Sequence, residues 1–239
     1  MKHRISIIIP VYNEAHTISA LLNHLLRNAS KENISEILII DGGSNDGSQE
    51  IVQSFKPPKD FEILLLNSEK GRAKQMNLGA KHAKGNILYF LHADSFPPKN
   101  FDSYIINQVN KGNQAGCFKM KFNSNHLWLK MTSWFTQFNW KSCRGGDQSL
   151  FITSLLFNKI GGFNEAFIIY EDNDFISKLY THQQFVVIQE WLTTSARCYN
   201  TNGIFKIQYH FGIIHIKKWL GASPKMLNDY YKKHINVKN

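Results

Sequence analysis

Four short apolar runs, each followed by polar or glycine-rich residues, constrain the fold of this chain more than any other feature. They are rich in β-branched side chains, as buried strands are, and occupy residues 5–9, 36–40, 61–66 and 86–91. Segments with helical spacing of apolar residues lie between them at 14–27 and 71–83, with a shorter one ending near Phe55. This alternation predicts an α/β fold: a mainly parallel central sheet with helices on both faces.

The second half of the chain is less regular. An apolar stripe between residues 125 and 141 has helical spacing, and another helix is predicted to open at Tyr170. Residues 204–220 read as an apolar helical tail. Because the sequence contains no internal repeat and no clear linker, we expect one domain with a C-terminal helical extension.

Charge and cysteine content limit the partners and the compartment. The 239 residues include 28 Lys and Arg against 18 Asp and Glu, a formal net charge of +10, which favours anionic partners. Three widely spaced cysteines argue against a disulfide framework and for a reducing compartment. The N-terminus is a poor signal peptide, and no apolar run approaches the ~18 residues of a membrane-spanning helix. We expect a cytoplasmic protein, and peripheral contact with the inner face of the membrane stays open.

Polar side chains follow three of the four predicted strands. They lie at 10–14 after the first strand, at 41–46 after the second and at 92–95 after the fourth. Ligands bind beyond the carboxyl ends of strands in an open parallel sheet. Each set alone also fits a turn or a helix cap, but three sets at one edge indicate a binding site. Neither the dinucleotide-binding glycine pattern nor a phosphate-binding P-loop pattern occurs in the sequence.

Several segments, in this order and spacing, resemble the family-two glycosyltransferases, which have the GT-A fold. They are IIIPVYNE at 7–14, IIDGGSNDG at 39–47, GRAKQMNLGA at 71–80 and Glu171-Asp172. The segments LHAD, GDQ and WLGASP are similar to a small soluble branch labelled radical-SAM/selenodomain-associated transferase. The resemblance implies one glycosyltransferase domain over 1–239. Within it we expect a nucleotide-binding half at about 1–120, an acceptor and catalytic half at about 121–200 and a helical tail at about 201–239.

This resemblance implies which residues bind a nucleotide-sugar donor. The donor nucleotide set is Pro10, Tyr12, Glu14, Asp41, Ser44, Arg72, Lys74 and His92. A carboxylate such as Asp41 accepts hydrogen bonds from an imide N–H or a ribose hydroxyl. Arg72 and Lys74 lie in the first turn of a predicted helix and can face a diphosphate, although Lys74 fits a solvated surface cation equally well.

The resemblance also implies a divalent cation, Mn²⁺ or Mg²⁺, and a catalytic carboxylate. Asp94 matches the metal-binding aspartate of the family's D-x-D motif, and His92 replaces the first aspartate. Both cations prefer hard oxygen ligands. Asp172 matches the catalytic aspartate, with Glu171 and Asp174 as alternatives for the base that takes the acceptor proton. A helix-start acidic cluster is the alternative for all three, and the other motifs favour catalysis over it.

Two further parts of the second half bear on the sugar and the acceptor. Gly146, Asp147 and Gln148 are assigned to the donor sugar or the acceptor. The apolar stripe favours packing into the core, and its members are Leu127, Met131, Trp134, Phe135 and Phe138. The alternative is a membrane-lying surface, because tryptophans and lysines interleave there. A lipid-linked acceptor would explain such a surface.

The expected activity is therefore transfer of a sugar from a nucleoside diphosphate to a hydroxyl acceptor, by inversion as family membership implies. A nucleotidyltransferase on a related fold is one rival, weakened because residues 10–14 contain no glycine. A non-enzymatic binder of nucleic acid or anionic membranes is another. The cations of this chain are dispersed along the sequence and not gathered in one stripe, so we expect no nucleic acid partner. The His92 replacement also leaves open a donor binder without turnover.

Overall fold

The computed structural model describes residues 2–58, 60–145, 148–182 and 185–235. Its strands are β1 (Ile5–Val11), β2 (Ile34–Asp41), β3 (Ile63–Asn67), β4 (Ile87–Phe90), β5 (Ser95–Phe96), β6 (Ala115–Phe122), β7 (Leu150–Thr153) and β8 (Phe185–Thr194). The helices of the first half are α1 (Ile18–Asn28), α2 (Ser48–Ser54), α3 (Arg72–His82) and α4 (Phe101–Asn110). Those of the second half are α5 (Leu127–Phe135), α6 (Ser154–Ile160), α7 (Glu171–Thr181), α8 (Arg197–Asn202), α9 (Ile204–Trp219) and α10 (Pro224–His234).

The strands form one sheet in the order β3-β2-β1-β4-β7-β6-β8-β5. Strands β1 to β4 are parallel, whereas β7 runs antiparallel to both β4 and β6. Only residues 91–94 separate β4 from β5, yet β5 pairs with β8 at the far end of the sheet. Four strand spacings of ~4.8 Å exceed the reach of five extended steps of ~3.5 Å. The sheet therefore curls, and residues 91–94 cross its carboxyl edge.

Two apolar layers cover the sheet. One face carries α1, α4, α9 and α10, whose buried side chains include Leu21, Phe101 and Ile207. The other face carries α3, α6 and α7, with Met76 and Phe175 at its centre. The helices lie on both faces of a mainly parallel sheet, so the fold class predicted from the sequence is confirmed.

Helix α1 begins at Ile18, four residues later than the apolar spacing predicts. The backbone N–H of Glu14 donates to Ser48 Oγ at 2.9 Å, and that of Ala15 donates to Asp46 Oδ2 at 2.9 Å. These two amides are used to join the loop after β1 to the loop after β2. The first turn of the predicted helix is therefore a connection between loops.

The apolar stripe of α5 does not pack into the core, so the core-packing prediction is wrong. Leu127 is 81% exposed and Trp134 is 52% exposed, whereas Leu129 is buried. Periodicity shows that one face of a helix differs from the others, but neighbouring elements decide which face is covered. The helix also ends at Phe135, earlier than the stripe predicts. Just beyond it, the guanidinium of Arg144 donates hydrogen bonds to the carbonyl oxygens of Thr136 (2.6 Å) and Phe138.

Among the described residues, the longest and most apolar helices fall short of what crossing a membrane requires.

Candidate active site

The loops after β1 and β2 are joined by hydrogen bonds at the carboxyl edge of the sheet. The N–H of Asn13 donates to Ser44 Oγ at 2.9 Å, and the N–H of Asn45 donates to Asn13 Oδ1 at 3.0 Å. Burial acts to raise the pKa of Asp46, but hydrogen bonds from the Ser48 hydroxyl and nearby backbone amides outweigh it and lower that pKa. Asp46 thus serves to hold the two loops together.

Asp41 ends β2 with a carboxylate that is half satisfied. Its Oδ2 accepts hydrogen bonds from the backbone amides of Gly43 (2.8 Å) and Ser44 (2.9 Å) and from Gln49 Nε2 (2.7 Å). The residue is 1% exposed, and Oδ1 has no hydrogen-bond partner in the part of the chain that the structure describes. A buried acceptor without a donor is costly, so Oδ1 is set to receive a donor from a ligand.

Gln75 on α3 braces the strand ends and was not singled out by the sequence. Its Nε2 donates to Val11 O at 2.8 Å and to Ile40 O at 2.6 Å. The side chain is 2% exposed. The signal in the sequence was an amide among the apolar residues of that helix, at a position that faces the sheet.

Arg197 reaches the same edge from α8. Its Nη2 donates to Glu14 Oε1 at 2.7 Å, and this hydrogen bond is the main reason why the pKa of Arg197 is raised, with Asp94 a smaller contributor. Asp94 lies in the segment that crosses the edge between β4 and β5. Arg197 therefore lies beside Glu14, in the loop that follows β1.

The candidate catalytic carboxylates lie at the start of α7, and each has a different environment. Glu171 is 2% exposed, and its Oε1 lies 3.8 Å from Arg72 Nη1. Asp174 Oδ2 lies 3.4 Å from Lys178 Nζ within the helix. Asp172 Oδ2 lies 4.0 Å from His92 Nε2, at the strand end that carries Asp94. Asp172 therefore contacts the crossing segment through His92, at the sheet edge that also carries Asp94.

The remaining predicted donor residues lie around this centre. Pro10 lines a narrow cleft together with His92 and Asp172. The ammonium of Lys70 lies 3.6 Å from the ring centroid of Tyr12, a contact that the sequence did not indicate. Lys74 is ion-paired with Glu69 at the surface.

The predicted sugar-side residues are less well placed by the structure. Gln148 is 2% exposed, and its Oε1 lies 4.0 Å from Cys117 Sγ, below the edge. Gly146 and Asp147 lie outside the described residues. A contact of these three with a sugar stays a prediction.

The side chains at this edge fit a metal ion that is coordinated jointly by the protein and a ligand. They do not fit a site in which the protein alone surrounds the metal. Within the described ranges, no three His, Cys, Asp or Glu side chains are grouped to hold a metal. Mg²⁺ and similar ions are commonly bound through one or two carboxylates together with substrate phosphates. Asp94 supplies one such carboxylate at the sheet edge.

Comparisons with known proteins agree with this fold. The family model described as glycosyl transferase family 2 matches residues 6–175. Glycosyltransferase AglE of Haloferax volcanii is 38% identical over 94 residues, which cover 39% of this chain and 31% of AglE. Poly-beta-1,6-N-acetyl-D-glucosamine synthase of Staphylococcus epidermidis is 32% identical over 112 residues, 47% of this chain and 27% of the synthase. The matched segment therefore spans about a third or less of these relatives.

Solved structures share the fold at lower identity. The mannosyltransferase PcManGT from Pyrobaculum calidifontis, in complex with GDP-Man and Mn²⁺, superimposes with a TM-score of 0.70 at 18% identity. That match covers 97% of this chain and 70% of PcManGT. TarS from S. aureus, residues 1–349 with UDP, gives a TM-score of 0.64 at 20% identity, covering 80% of this chain and 60% of TarS.

Proposed function

The chain belongs to glycosyl transferase family 2, and we propose that it moves a sugar from a nucleoside diphosphate donor to a hydroxyl acceptor. One observation carries the proposal. A single sheet edge holds the half-satisfied carboxylate of Asp41, the crossing segment with Asp94, and Asp172 beside His92. Such an edge offers an acceptor for a nucleotide, a ligand for a shared cation and a base at the carboxyl ends of the strands.

The nucleotide is proposed to bind the loops after β1 and β2. Asp41 Oδ1 accepts a hydrogen bond from an imide N–H of the base or from a ribose hydroxyl. Pro10, Tyr12, Glu14 and Ser44 complete this set. The joined loops support the assignment, because a ligand that enters a preformed site loses less free energy to ordering.

The diphosphate is proposed to lie between the start of α3 and Asp94. Arg72, followed by Lys74, presents a cation at the helix N-terminus, where free N–H groups also favour an anion. Bound Mn²⁺ or Mg²⁺ would neutralise charge on the leaving diphosphate. Support comes from PcManGT, whose structure contains GDP-Man and Mn²⁺. Among the residues of this chain, Asp94 is assigned to hold the cation.

Asp172 is proposed as the general base. It takes the proton of the acceptor hydroxyl as that oxygen bonds to the anomeric carbon. The bond from that carbon to the diphosphate oxygen breaks, and the nucleoside diphosphate leaves with the electron pair. Direct displacement inverts the anomeric centre. His92, 4.0 Å from Asp172, is positioned to orient this carboxylate, alongside the nucleotide contact predicted from the sequence.

Peripheral contact with an anionic membrane, from the cytoplasmic side, and a lipid-linked acceptor are part of the proposal. One face of α9 exposes Phe205, Tyr209, Ile216 and Trp219, and the chain carries a net charge of +10. An amphipathic helix of this kind lies in a membrane interface. Flotation with vesicles that contain anionic lipid is expected to carry the protein upward. Failure to float at low salt removes the membrane contact.

A thermal-shift panel of nucleotide sugars, with and without Mn²⁺, tests the donor site. At least one nucleoside diphosphate sugar is expected to raise the melting temperature, and more so with Mn²⁺. If instead the protein releases pyrophosphate from a nucleoside triphosphate and a sugar phosphate, the nucleotidyltransferase alternative is correct. Binding of oligonucleotides with steep salt dependence and of no nucleotide sugar would favour the non-enzymatic binder.

A further inference from the structure

An open groove of about 580 Å³ lies outside the donor edge. It is formed by the C-terminal ends of β6 and β8 and by one side of α5. The residues that characterise it are Lys121, Asn123, Asn125, Lys130, Trp134 and Trp191. None of them belongs to the donor site described above.

The groove lies next to the segment that carries Asp94. Ser95, which follows Asp94, pairs with Thr194 of β8, and the neighbouring Thr193 forms part of the groove wall. One residue step and one strand pairing separate Asp94 from Thr194, a distance of roughly 10 Å or less between Cα atoms. Strands β1 and β2 carry the loops assigned to the nucleotide, and β6 and β8 form the groove. In the sheet order, β4 lies between these two pairs of strands. The groove and the nucleotide loops therefore lie on opposite sides of β4 in the sheet order.

The uncharged lining suits a sugar ring. A pyranose has a face of C–H groups and a rim of hydroxyls. Trp134 is 52% exposed, and contacts with Phe135 and Phe138, at centroid distances of 5.2 and 4.9 Å, fix its ring. An indole packs against the C–H face. The amides of Asn123 and Asn125 are donors and acceptors for hydroxyls.

The charged lining indicates an anion. Lys121 and Lys130 are the charged residues of the groove, and its described lining contains no carboxylate. Within the described residues, neither lysine forms an ion pair, hydrogen bond or ring contact. By contrast, Lys119 on the same strand lies 4.5 Å from the centroid of the Trp191 ring. Two unpaired ammonium groups beside two indoles fit a phosphate or a carboxylate attached to a saccharide.

We propose that this groove binds the acceptor and that the acceptor is a saccharide bearing an anionic group. The inference rests on the proposed glycosyl transfer, since it assigns the second substrate of that reaction. Both a free sugar phosphate and a saccharide on a lipid phosphate present this chemistry.

Tryptophan fluorescence titration with N-acetylglucosamine 1-phosphate, N-acetylglucosamine and inorganic phosphate tests the groove without any donor. The wild-type protein is expected to bind the sugar phosphate more tightly than either part alone. The double variant Lys121→Ala/Lys130→Ala is expected to lose about tenfold or more in affinity. Lys111→Ala is the matched control, because it removes one exposed cation that directly follows the C-terminal end of α4. This variant is expected to bind as wild type does.

A second variant separates the sugar contact from the charge contact. Trp134→Ala is expected to weaken binding of the sugar phosphate by about tenfold and to leave the weak binding of inorganic phosphate unchanged. A polyprenyl-phosphate saccharide in detergent micelles gives the lipid arm, and tighter binding there than of the free sugar phosphate identifies a lipid-linked acceptor. Equal affinity of the double-lysine variant and Lys111→Ala for the sugar phosphate overturns the proposal, as does binding of phosphate alone as tightly as the sugar phosphate.

The donor panel keeps the two proposals distinguishable. If the groove variants bind nucleotide sugars normally and lose the sugar phosphate, both proposals are supported. If wild-type protein binds the sugar phosphate but no nucleotide sugar, the proposed transfer fails while the groove remains a saccharide site.

Discussion

The cations beside the strand ends and the cations of the groove differ in what surrounds them. At the donor edge, Arg72 contacts Glu171, and Arg197 is hydrogen-bonded to Glu14. In the groove, Lys121 and Lys130 form no ion pair with any of the described residues. The protein therefore holds Arg72 and Arg197 in place before any ligand arrives. Lys121 and Lys130 are exposed to solvent.

This difference separates two ways of recognising an anion. Paired side chains are already ordered, so a ligand binds them at a small entropic cost but must share or displace the existing partner. Unpaired lysines attract an anion at longer range, and their contribution is weakened by salt. A donor with fixed geometry fits the first arrangement, and an acceptor that arrives on a large or membrane-bound molecule fits the second.

Among substitutions at the strand ends, the largest effect is expected for Asp172→Asn. We expect transfer to fall by about 10³-fold, because the amide does not take the acceptor proton, while donor affinity is retained. The measurement is release of nucleoside diphosphate together with a donor titration. Asp174→Asn is the matched control. Asp174 lies in the same turn as Asp172, but it is ion-paired with Lys178. Full turnover by Asp172→Asn, or an equal loss in Asp174→Asn, contradicts the assignment.

Asp94→Ala tests the cation side of the donor edge. Without this carboxylate, we expect Mn²⁺ to lose its effect on donor binding and the metal-dependent rate to fall on the order of 100-fold. Calorimetric titration of the nucleoside diphosphate at several Mn²⁺ concentrations measures the coupling. Undiminished activity in this variant shows that the cation, if used, is bound elsewhere.

Asp41→Asn changes one atom of the ordered network. The amide oxygen can keep the hydrogen bonds made to Oδ2, but the NH₂ group replaces the acceptor at Oδ1. We expect the affinity for the nucleotide to fall by about tenfold to thirtyfold, because the new NH₂ group then faces a hydrogen-bond donor of the ligand. The melting temperature without ligand serves as the control for folding. Unchanged nucleotide affinity would mean that Oδ1 does not contact the ligand.

Gln75→Leu tests whether the ordered edge depends on its brace. The change removes a donor from Val11 O and Ile40 O, and Val11 O keeps a hydrogen bond from the N–H of Gly42 at 2.9 Å. We therefore expect a loss of about 1 kcal/mol in the free energy of unfolding, measured in urea. Gln53→Leu, on the exposed side of α2, is expected to leave stability unchanged. Equal stability of the two variants removes the bracing role.

The sequence predicted the structure of the first half of the chain better than that of the second half, for a physical reason. Buried strands and the polar residues that follow them are recorded locally, so the edge with Asp41 and Asp94 is visible in the chain. The late start of α1 depends on Ser48 and Asp46, more than thirty residues away. Local spacing contains no such information.

The same limit explains the errors in the second half. The spacing of the α5 stripe is helical, but its exposure depends on where β6 and β8 end, which the spacing does not record. Arg197 became part of the site only through contacts across the fold, as did Gln75 in the first half. The groove was not predicted because its residues come from three separate segments that contain no motif.

We propose that the carboxyl edge of the sheet transfers a sugar by direct displacement, with Asp172 as the base. NMR of the anomeric proton, recorded while the protein turns over the nucleotide sugar selected by the thermal-shift panel in Mn²⁺, tests this most directly. We expect a product whose anomeric configuration is opposite to that of the donor, at a rate that Asp172→Asn reduces about 10³-fold. Retained configuration, or a rate that is the same in Asp172→Asn, would contradict it.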